Sequence, residues 1–400
     1  MTGNEGGIGG RVFISRDEFL PFFRPDVSEQ EIAAVAEVLR SGWLTYGAKV
    51  REFGRACADY LQVPRAEPVS SCTAGLHLAL EALEVGPGHE VILPALTFVS
   101  TLSAVVHRGA KPVLADVDPV TLCMSPDSCR DLVTPRTRAI IPVDMGGHPC
   151  DMAELRELAT ANGLRIVRDA AHSFGAREGG RLVGSGCDAT VFSFYATKCI
   201  TTGDGGLVTC DDDHLADRIA RLGFHGMDGN AWQRYGDKGR WYYEILEPGW
   251  KYHLSDPAAA LGLGQLARAD EFMARRTSIA RSYSSALADL PGVTVPRVAD
   301  GMTSAWHLYL LRVDPDIVPG GRDRVIADLT ANRIGSSVHF IPLHHHPAFR
   351  ELAVEFGDRL PETEHYFRAA VSLPLFPAMT PQDVDDVVTV VRASIQAAVG

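Results

Sequence analysis

The feature that most constrains this chain is an alternation of short apolar runs and helical stretches between residues 90 and 167. Glu90–Leu93, Pro112–Ala115, Ala139–Val143 and Leu164–Val167 read as strands, while Phe98–His107 and Met152–Ala161, the latter closed by Gly163, read as helices. Strands separated by helix-length connections cannot pair as hairpins, so the pattern predicts βαβ units and a mainly parallel sheet covered by helices. The period changes after Ala189. Thr190–Tyr195 and Gly206–Cys210 read as strands around a glycine-rich turn, followed by a helix over Asp211–Leu222. Ser28 and Glu31 have capping-box spacing before Ile32, Val35, Val38 and Leu39, and Gly42 stops that helix. A further helix is expected over Ala74–Val85 and a last one over Pro381–Ala397, with Val384, Val387, Val388 and Val391 on one face. The expected organisation is a flexible tail over 1–19, a large α/β domain over 20–265 and a smaller α+β domain over 266–400.

Charge and cysteine usage exclude several partners. The net charge is −12 with no basic stripe, which disfavours a nucleic-acid backbone. No apolar run approaches the length of a membrane span, and the N-terminus lacks an apolar signal segment. Eight scattered cysteines form no C-x-x-C pair, which points to reduced thiols in a cytoplasm. Neither is a metal site expected: His344, His345 and His346 are adjacent, and neighbours on an extended chain diverge.

Four local features place chemistry at element ends. Lys198 closes an apolar strand at the edge of the Gly203–Gly206 turn, a dry setting that favours the neutral amine of Schiff-base chemistry. Asp169 closes the strand Leu164–Val167, where open α/β sheets put their ligands, and a carboxylate there can hold a pyridinium nitrogen protonated. Ser71, Thr73, Ala74 and Gly75 open a helix whose amides can receive a phosphate. Phe98 ends a strand and can stack on a ring. Each alone has a plainer meaning: a surface lysine, a turn cap, a helix cap, a core ring. Together with Ser193 as a phosphate hydroxyl, they supply every part of a pyridoxal-phosphate (PLP) site.

The runs SCTAGLHLAL, PALTFVST, VRDAAHSFGA, FSFYATK…TTGDGG, GWKYHLSDPAAALGLGQL and SVHFIPLHHHP resemble the DegT/DnrJ/StrS family of nucleotide-sugar aminotransferases over nearly the whole chain. The resemblance implies the aspartate-aminotransferase (type I) fold, PLP/PMP as cofactor, and transfer of an amino group, from L-glutamate, to a nucleotide-linked keto-sugar. It implies Lys198 as the cofactor-linked proton shuttle, Asp169 on the pyridine nitrogen, His172 at the phenolic oxygen, Phe98 on the ring face, and Thr73, Ala74 and Ser193 at the phosphate. It further implies a homodimer with shared active sites, Lys251 and His253 reaching the partner's site, and His339 touching the sugar. The VHFIPLH stretch resembles members that aminate C4 of a 4-keto-6-deoxyhexose rather than C3. Departures from the family pattern are Cys199 after the lysine, Tyr46 and Ala48 in the early turn, and Lys251-Tyr252-His253. A PMP-dependent sugar dehydratase, which would carry histidine in place of Lys198, and a non-catalytic regulator of the same fold are the rival readings.

Overall fold

Ser28 and Glu31 form the reciprocal cap that their spacing predicts: Glu31 N–H donates to Ser28 Oγ at 3.3 Å and Ser28 N–H to Glu31 Oε2 at 2.7 Å. The computed structural model describes residues 10–227 and 242–400. In chain order the first elements are α1 (Glu29–Ser41), α2 (Ala48–Leu61), β1 (Arg65–Val69), α3 (Cys72–Ala82), β2 (Glu90–Pro94), α4 (Val99–His107), β3 (Lys111–Ala115), α5 (Pro126–Asp131), β4 (Thr137–Ile140), α6 (Met152–Asn162) and β5 (Arg165–Asp169). A small hairpin, β6 (Arg177–Glu178) and β7 (Arg181–Leu182), precedes β8 (Ala189–Ser193), β9 (Gly206–Cys210) and α7 (Asp213–Leu222). The chain continues through α8 (Asp256–Ala267), α9 (Ala269–Leu287), β10 (Val293–Thr294), β11 (Met302–Thr303), β12 (Tyr309–Val313) and α10 (Gly321–Ala331). It closes with α11 (Arg350–Phe356), α12 (Pro361–Ala369), β13 (Ala370–Leu373) and α13 (Pro381–Val399).

Seven strands make the central sheet in the order β1-β9-β8-β5-β4-β2-β3, and only β9 runs against the other six. The inner strands β2, β8 and β9 are buried at every position, as expected for a sheet covered on both faces. Order along the sheet places the carboxyl ends of β5 and β8 side by side, so Asp169 and Ser193 emerge next to each other. A second core, built from α9, α10, β12, β13 and α13, gathers Tyr283, Leu311, Val325, Val371, Val387 and Val391. No helix among the described residues is long and apolar enough to cross a membrane.

Three expectations meet a different outcome. The expected tail of 1–19 is held from Gly10 onward: Arg11 N–H donates to Asp328 Oδ1, Phe13 and Ile14 N–H both donate to Asn332 Oδ1, and Arg16 pairs with Asp383 and Asp386. Residues 1–9 lie outside the described residues, as do residues 228–241, most of the stretch 226–250 whose aromatic and glycine-rich composition without clear periodicity predicts a long loop. The helical spacing of Ile32, Val35, Val38 and Leu39 predicts a core face, but Ile32 and Leu39 are 51% and 54% exposed, whereas Glu31 and Val38 are buried. The reason is α8, which packs against α1 through Gly264. A Cβ on Gly264 would meet Glu31 Cγ at 2.4 Å, so this helix pair approaches along the Glu31 side. The third concerns Lys198. β8 ends at Ser193, and Lys198 sits in the following turn rather than closing the strand.

Candidate active site

A cleft of about 670 Å³ opens at the carboxyl ends of β5 and β8. Asp169, His172, Ser193, Lys198, Thr73, Phe98 and His339 all line it, although they come from five separate stretches of chain. A larger and more open hollow of about 910 Å³, bordered by Arg156, Arg165 and Arg218, shares no residue with it. Those three arginines are paired with Glu178, Asp188 and Glu84.

Asp169 is 3% exposed, and its carboxylate is already engaged by hydrogen bonds from its neighbours. Thr101 Oγ1 donates to Oδ2 at 2.7 Å, the Ala171 N–H donates to Oδ1 at 3.1 Å, and Thr97 Oγ1 lies 3.0 Å from Thr101 Oγ1. Burial raises the Asp169 pKa, while the Thr101 and Ala171 bonds and the Lys198 ammonium oppose the rise. Beneath it, Arg168 Nε lies 3.0 Å from Asp144 Oδ2 in a fully buried ion pair, and the Asp144 N–H donates to the Asp169 carbonyl at 3.1 Å.

Burial pushes the Lys198 amine below its ordinary value, against the pull of Cys72 and Asp169. The Lys198 N–H donates to the Tyr195 carbonyl at 2.9 Å, so the backbone fixes the turn. Its carbonyl accepts from Arg276 Nη2 at 3.5 Å. Arg276 is 1% exposed and also donates to the carbonyls of Trp306, His307 and Leu375, tying the turn to later segments.

His172 is neutral, its pKa held well below the usual value by burial and by Lys198. The Gly146 N–H donates to Nδ1 at 3.3 Å, which leaves the ring proton on Nε2 and makes that nitrogen the donor. Phe340 stacks near it with centroids 5.8 Å apart, and the buried His307 lies at 4.5 Å. Phe98 is 55% exposed at the mouth, 5.8 Å from Phe340, so the ring is not core. His339 Nδ1 lies 2.8 Å from Ser372 Oγ, and burial lowers the His339 pKa to about 4.

The helix N-terminus is only partly as expected. Thr73 is exposed to the cleft, but Ala74 does not line it, because its N–H donates to the Ser71 cap at 3.1 Å. Gly206 backs this corner. A Cβ there would lie 2.7 Å from the Cys72 nitrogen and 2.8 Å from the Phe192 carbonyl, so only glycine lets β9 pass behind the cup. Lys251 and His253 do not line the cleft of their own chain. His253 borders a separate hollow of about 430 Å³ with Tyr46 and Phe224, and burial lowers its pKa to about 4. Sequence reasoning missed Thr101, His307 and Phe340. Thr101 carried a signal, being three residues from Phe98 at the start of α4, and so did Phe340, next to His339 in the VHFIPLH run; His307 comes from a distant segment and carried none.

The residues fit a phosphorylated pyridine aldehyde. A buried carboxylate, a desolvated amine, a neutral imidazole donor, an exposed aromatic ring and a glycine-backed helix N-terminus surround one cleft. His344 and His345 do not diverge as expected of an extended chain, because Leu343–His345 is a turn of 3-10 helix.

Residues 25–392 match the DegT/DnrJ/EryC1/StrS aminotransferase family. The chain is 45% identical over 387 residues to the spore coat polysaccharide biosynthesis protein SpsC of Bacillus subtilis, covering 96% of this chain and 99% of that one. Spr1654 of Streptococcus pneumoniae, designated a sugar aminotransferase, superposes in its PMP form with a TM-score of 0.88 at 33% identity, covering 95% of this chain and 100% of that one. Its PLP form gives the same TM-score at 32% identity over 96% and 100%. Helicobacter pylori PseC, an aminotransferase involved in the biosynthesis of pseudoaminic acid, gives 0.87 at 26% identity over 95% and 100%. The chain therefore belongs to the DegT/DnrJ/EryC1/StrS family and is a PLP-dependent sugar aminotransferase.

Proposed function

We propose that the protein moves an amino group from L-glutamate to C4 of a nucleotide-linked 4-keto-6-deoxyhexose, with Lys198 as the proton carrier. The observation that carries this reading is the desolvated Lys198 amine in one cleft with the buried Asp169 carboxylate. When bound, PLP supplies the electron sink that stabilises negative charge at the amine-bearing carbon.

The chain's own residues do the rest. Lys198, its amine held below its ordinary pKa by burial, takes a proton from that carbon and returns it at the cofactor's C4′ position, acting as base and then acid. Asp169 holds the ring nitrogen protonated, its charge sustained by the Thr101 and Ala171 donors. His172 Nε2–H donates toward the phenolic oxygen, oriented by Gly146 behind it. Thr73 and Ser193 take the phosphate, Ala74 serves as scaffold rather than contact, and Phe98 covers the ring face. His339 and Phe340, from the VHFIPLH stretch, line the same cleft and favour the C4 assignment by the likeness of that stretch to C4-acting members.

A homodimer with shared sites is supported by exposed apolar side chains on one chain. Ile32, Leu39, Trp43 and Leu44 are each 40% or more exposed, and Lys251 and His253 do not line the active-site cleft of their own chain. A reducing cytoplasm suits the eight free cysteines.

The test is an absorbance spectrum of the reconstituted protein before and after L-glutamate, followed by candidate keto-sugars. The visible band of the lysine-linked cofactor shifts to the near-ultraviolet with glutamate and returns with the 4-keto sugar. Return with a 3-keto isomer alone would refute the regiochemistry, and no visible band in wild type would refute the role of Lys198.

A further inference from the structure

We propose that His344, His345 and Glu364 form a second site, apart from the cleft, for a borderline divalent ion of the Zn²⁺ class. This does not rest on the aminotransferase reading. His344 Nε2 and His345 Nε2 each lie 2.7 Å from the same oxygen, Glu364 Oε1. The ligand atoms of the three residues lie within 4.8 Å of one another, and among the described residues no other such group occurs.

Local structure explains the convergence. Leu343 N–H is anchored to the Ala95 carbonyl at 3.0 Å, and the 3-10 turn that follows sets the two imidazoles edge to face, 4.5 Å apart. Glu364 approaches from α12 across the turn. Two imidazole nitrogens and one carboxylate oxygen are a known zinc ligand set, with the fourth position left to water. At Zn–N and Zn–O distances of about 2.0–2.2 Å, a tetrahedral angle separates ligand atoms by roughly 3.3 Å. Each 2.7 Å contact must therefore open by roughly 0.6 Å to admit the ion. Glu364 and His345 can supply that movement, since their side chains are 37% and 34% exposed. The cost lies at His344, whose Nδ1 is buried without a hydrogen-bond partner and must take the ring proton when Nε2 binds. The site is thus weaker than a closed four-ligand zinc site.

Its position gives it leverage. Tyr366, one half-turn beyond Glu364, donates to the His339 carbonyl at 2.7 Å, and β13 beyond it supplies Ser372 to His339 Nδ1. An ion at Glu364 would pin α12 to the turn behind the wall that bears His339 and Phe340.

The experiment titrates the cofactor-loaded protein with Zn²⁺ against a chromophoric chelator, and with Co²⁺ in the visible range. Wild type takes one equivalent that His345→Ala and Glu364→Gln each weaken at least tenfold, whereas His346→Ala retains it. An unchanged cofactor band and thermal midpoint in chelator show that the variants are folded, and His345→Ala alone carries the test if Glu364→Gln is not. The Co²⁺ spectrum shows d–d bands without sulfur-to-metal charge transfer. Equal affinity in wild type and His345→Ala, no binding in wild type, or a thiolate charge-transfer band would overturn the assignment.

Discussion

Thr101 Oγ1 and Asp169 Oδ2 are joined by a 2.7 Å hydrogen bond in which both residues are buried. A bond to a charged group contributes about 1.5–3 kcal/mol. Thr101→Val keeps the shape and removes the donor, so the carboxylate loses its strongest support and its pKa rises further. The expected result is a fall in kcat/KM of about 10- to 100-fold, together with weaker cofactor retention. Wild-type kinetics in Thr101→Val would remove Thr101 from the site's machinery.

Lys198→Ala is expected to fold, to bind cofactor without the visible band, and to lose turnover by at least about a thousandfold, the scale of positioned acid–base catalysis. In wild type, burial lowers the Lys198 pKa below 10.5. Because the neutral amine is the active form, kcat should rise with pH through that lowered value and level off above it. A stopped-flow pH series reads this directly; a rate that falls across the same range contradicts the assignment.

Burial lowers the pKa of His77, His253 and His339 to about 4, and those of His172 and His307 well below 6.5. Between those values and 6.5 the unfolded chain binds protons that the folded chain does not. Stability therefore rises with pH across that window and is lost as pH falls from 6.5 toward 4. His77 packs 4.8 Å from Trp250 with its Nε2 buried and unpartnered, outside the cleft. His77→Phe should make the acid decline of the thermal midpoint shallower, and an identical pH profile would count against buried neutral histidine as its cause.

The Arg168–Asp144 pair is closed from water on both sides. Asp144→Ala leaves a buried guanidinium without that partner and should destabilise the protein by about 3–5 kcal/mol in denaturant titration. Asp144→Ala combined with Arg168→Met should regain part of that loss, since it removes a buried guanidinium left with Glu178 alone. If the double variant is less stable than Asp144→Ala, the loss has another origin.

Gly206→Ala would press a methyl group against the Cys72 nitrogen and the Phe192 carbonyl, both backbone atoms that yield little. Overpacking of this kind costs about 1–3 kcal/mol. The effect should appear first at the helix N-terminus, as a cofactor dissociation constant raised about tenfold or more. Equilibrium dialysis of cofactor measures it, and unchanged retention would mean the cup lies elsewhere.

The central strands were legible because continuous apolar runs such as Glu90-Val-Ile-Leu-Pro belong only in a covered sheet. β1 was not. Arg65 and Glu67 pair with each other on this edge strand, and its alternation of charged and apolar residues hides it among loops. α2 could have been read, since Val50, Phe53, Cys57 and Leu61 recur at helical spacing and are all buried. In the site, Asp169, Ser193 and Phe98 were legible because each ends or follows a strand. Ala74 does not line the cleft, and the amide it could present to phosphate goes to Ser71. His307 beside His172, and Glu364 beneath two histidines, depend on packing between segments far apart in the chain, which local pattern does not encode.

Lys198 is held through its main chain: the N–H goes to Tyr195 and the carbonyl receives Arg276. Anchorage and reactivity are thus assigned to different parts of one residue. The scaffold holds a socket for a side chain rather than the side chain itself. Whatever occupies position 198 is delivered to the same point beside Asp169, so a change of residue there replaces the reagent and spares the architecture. A fold organised in this way can exchange one chemistry for another in a single step.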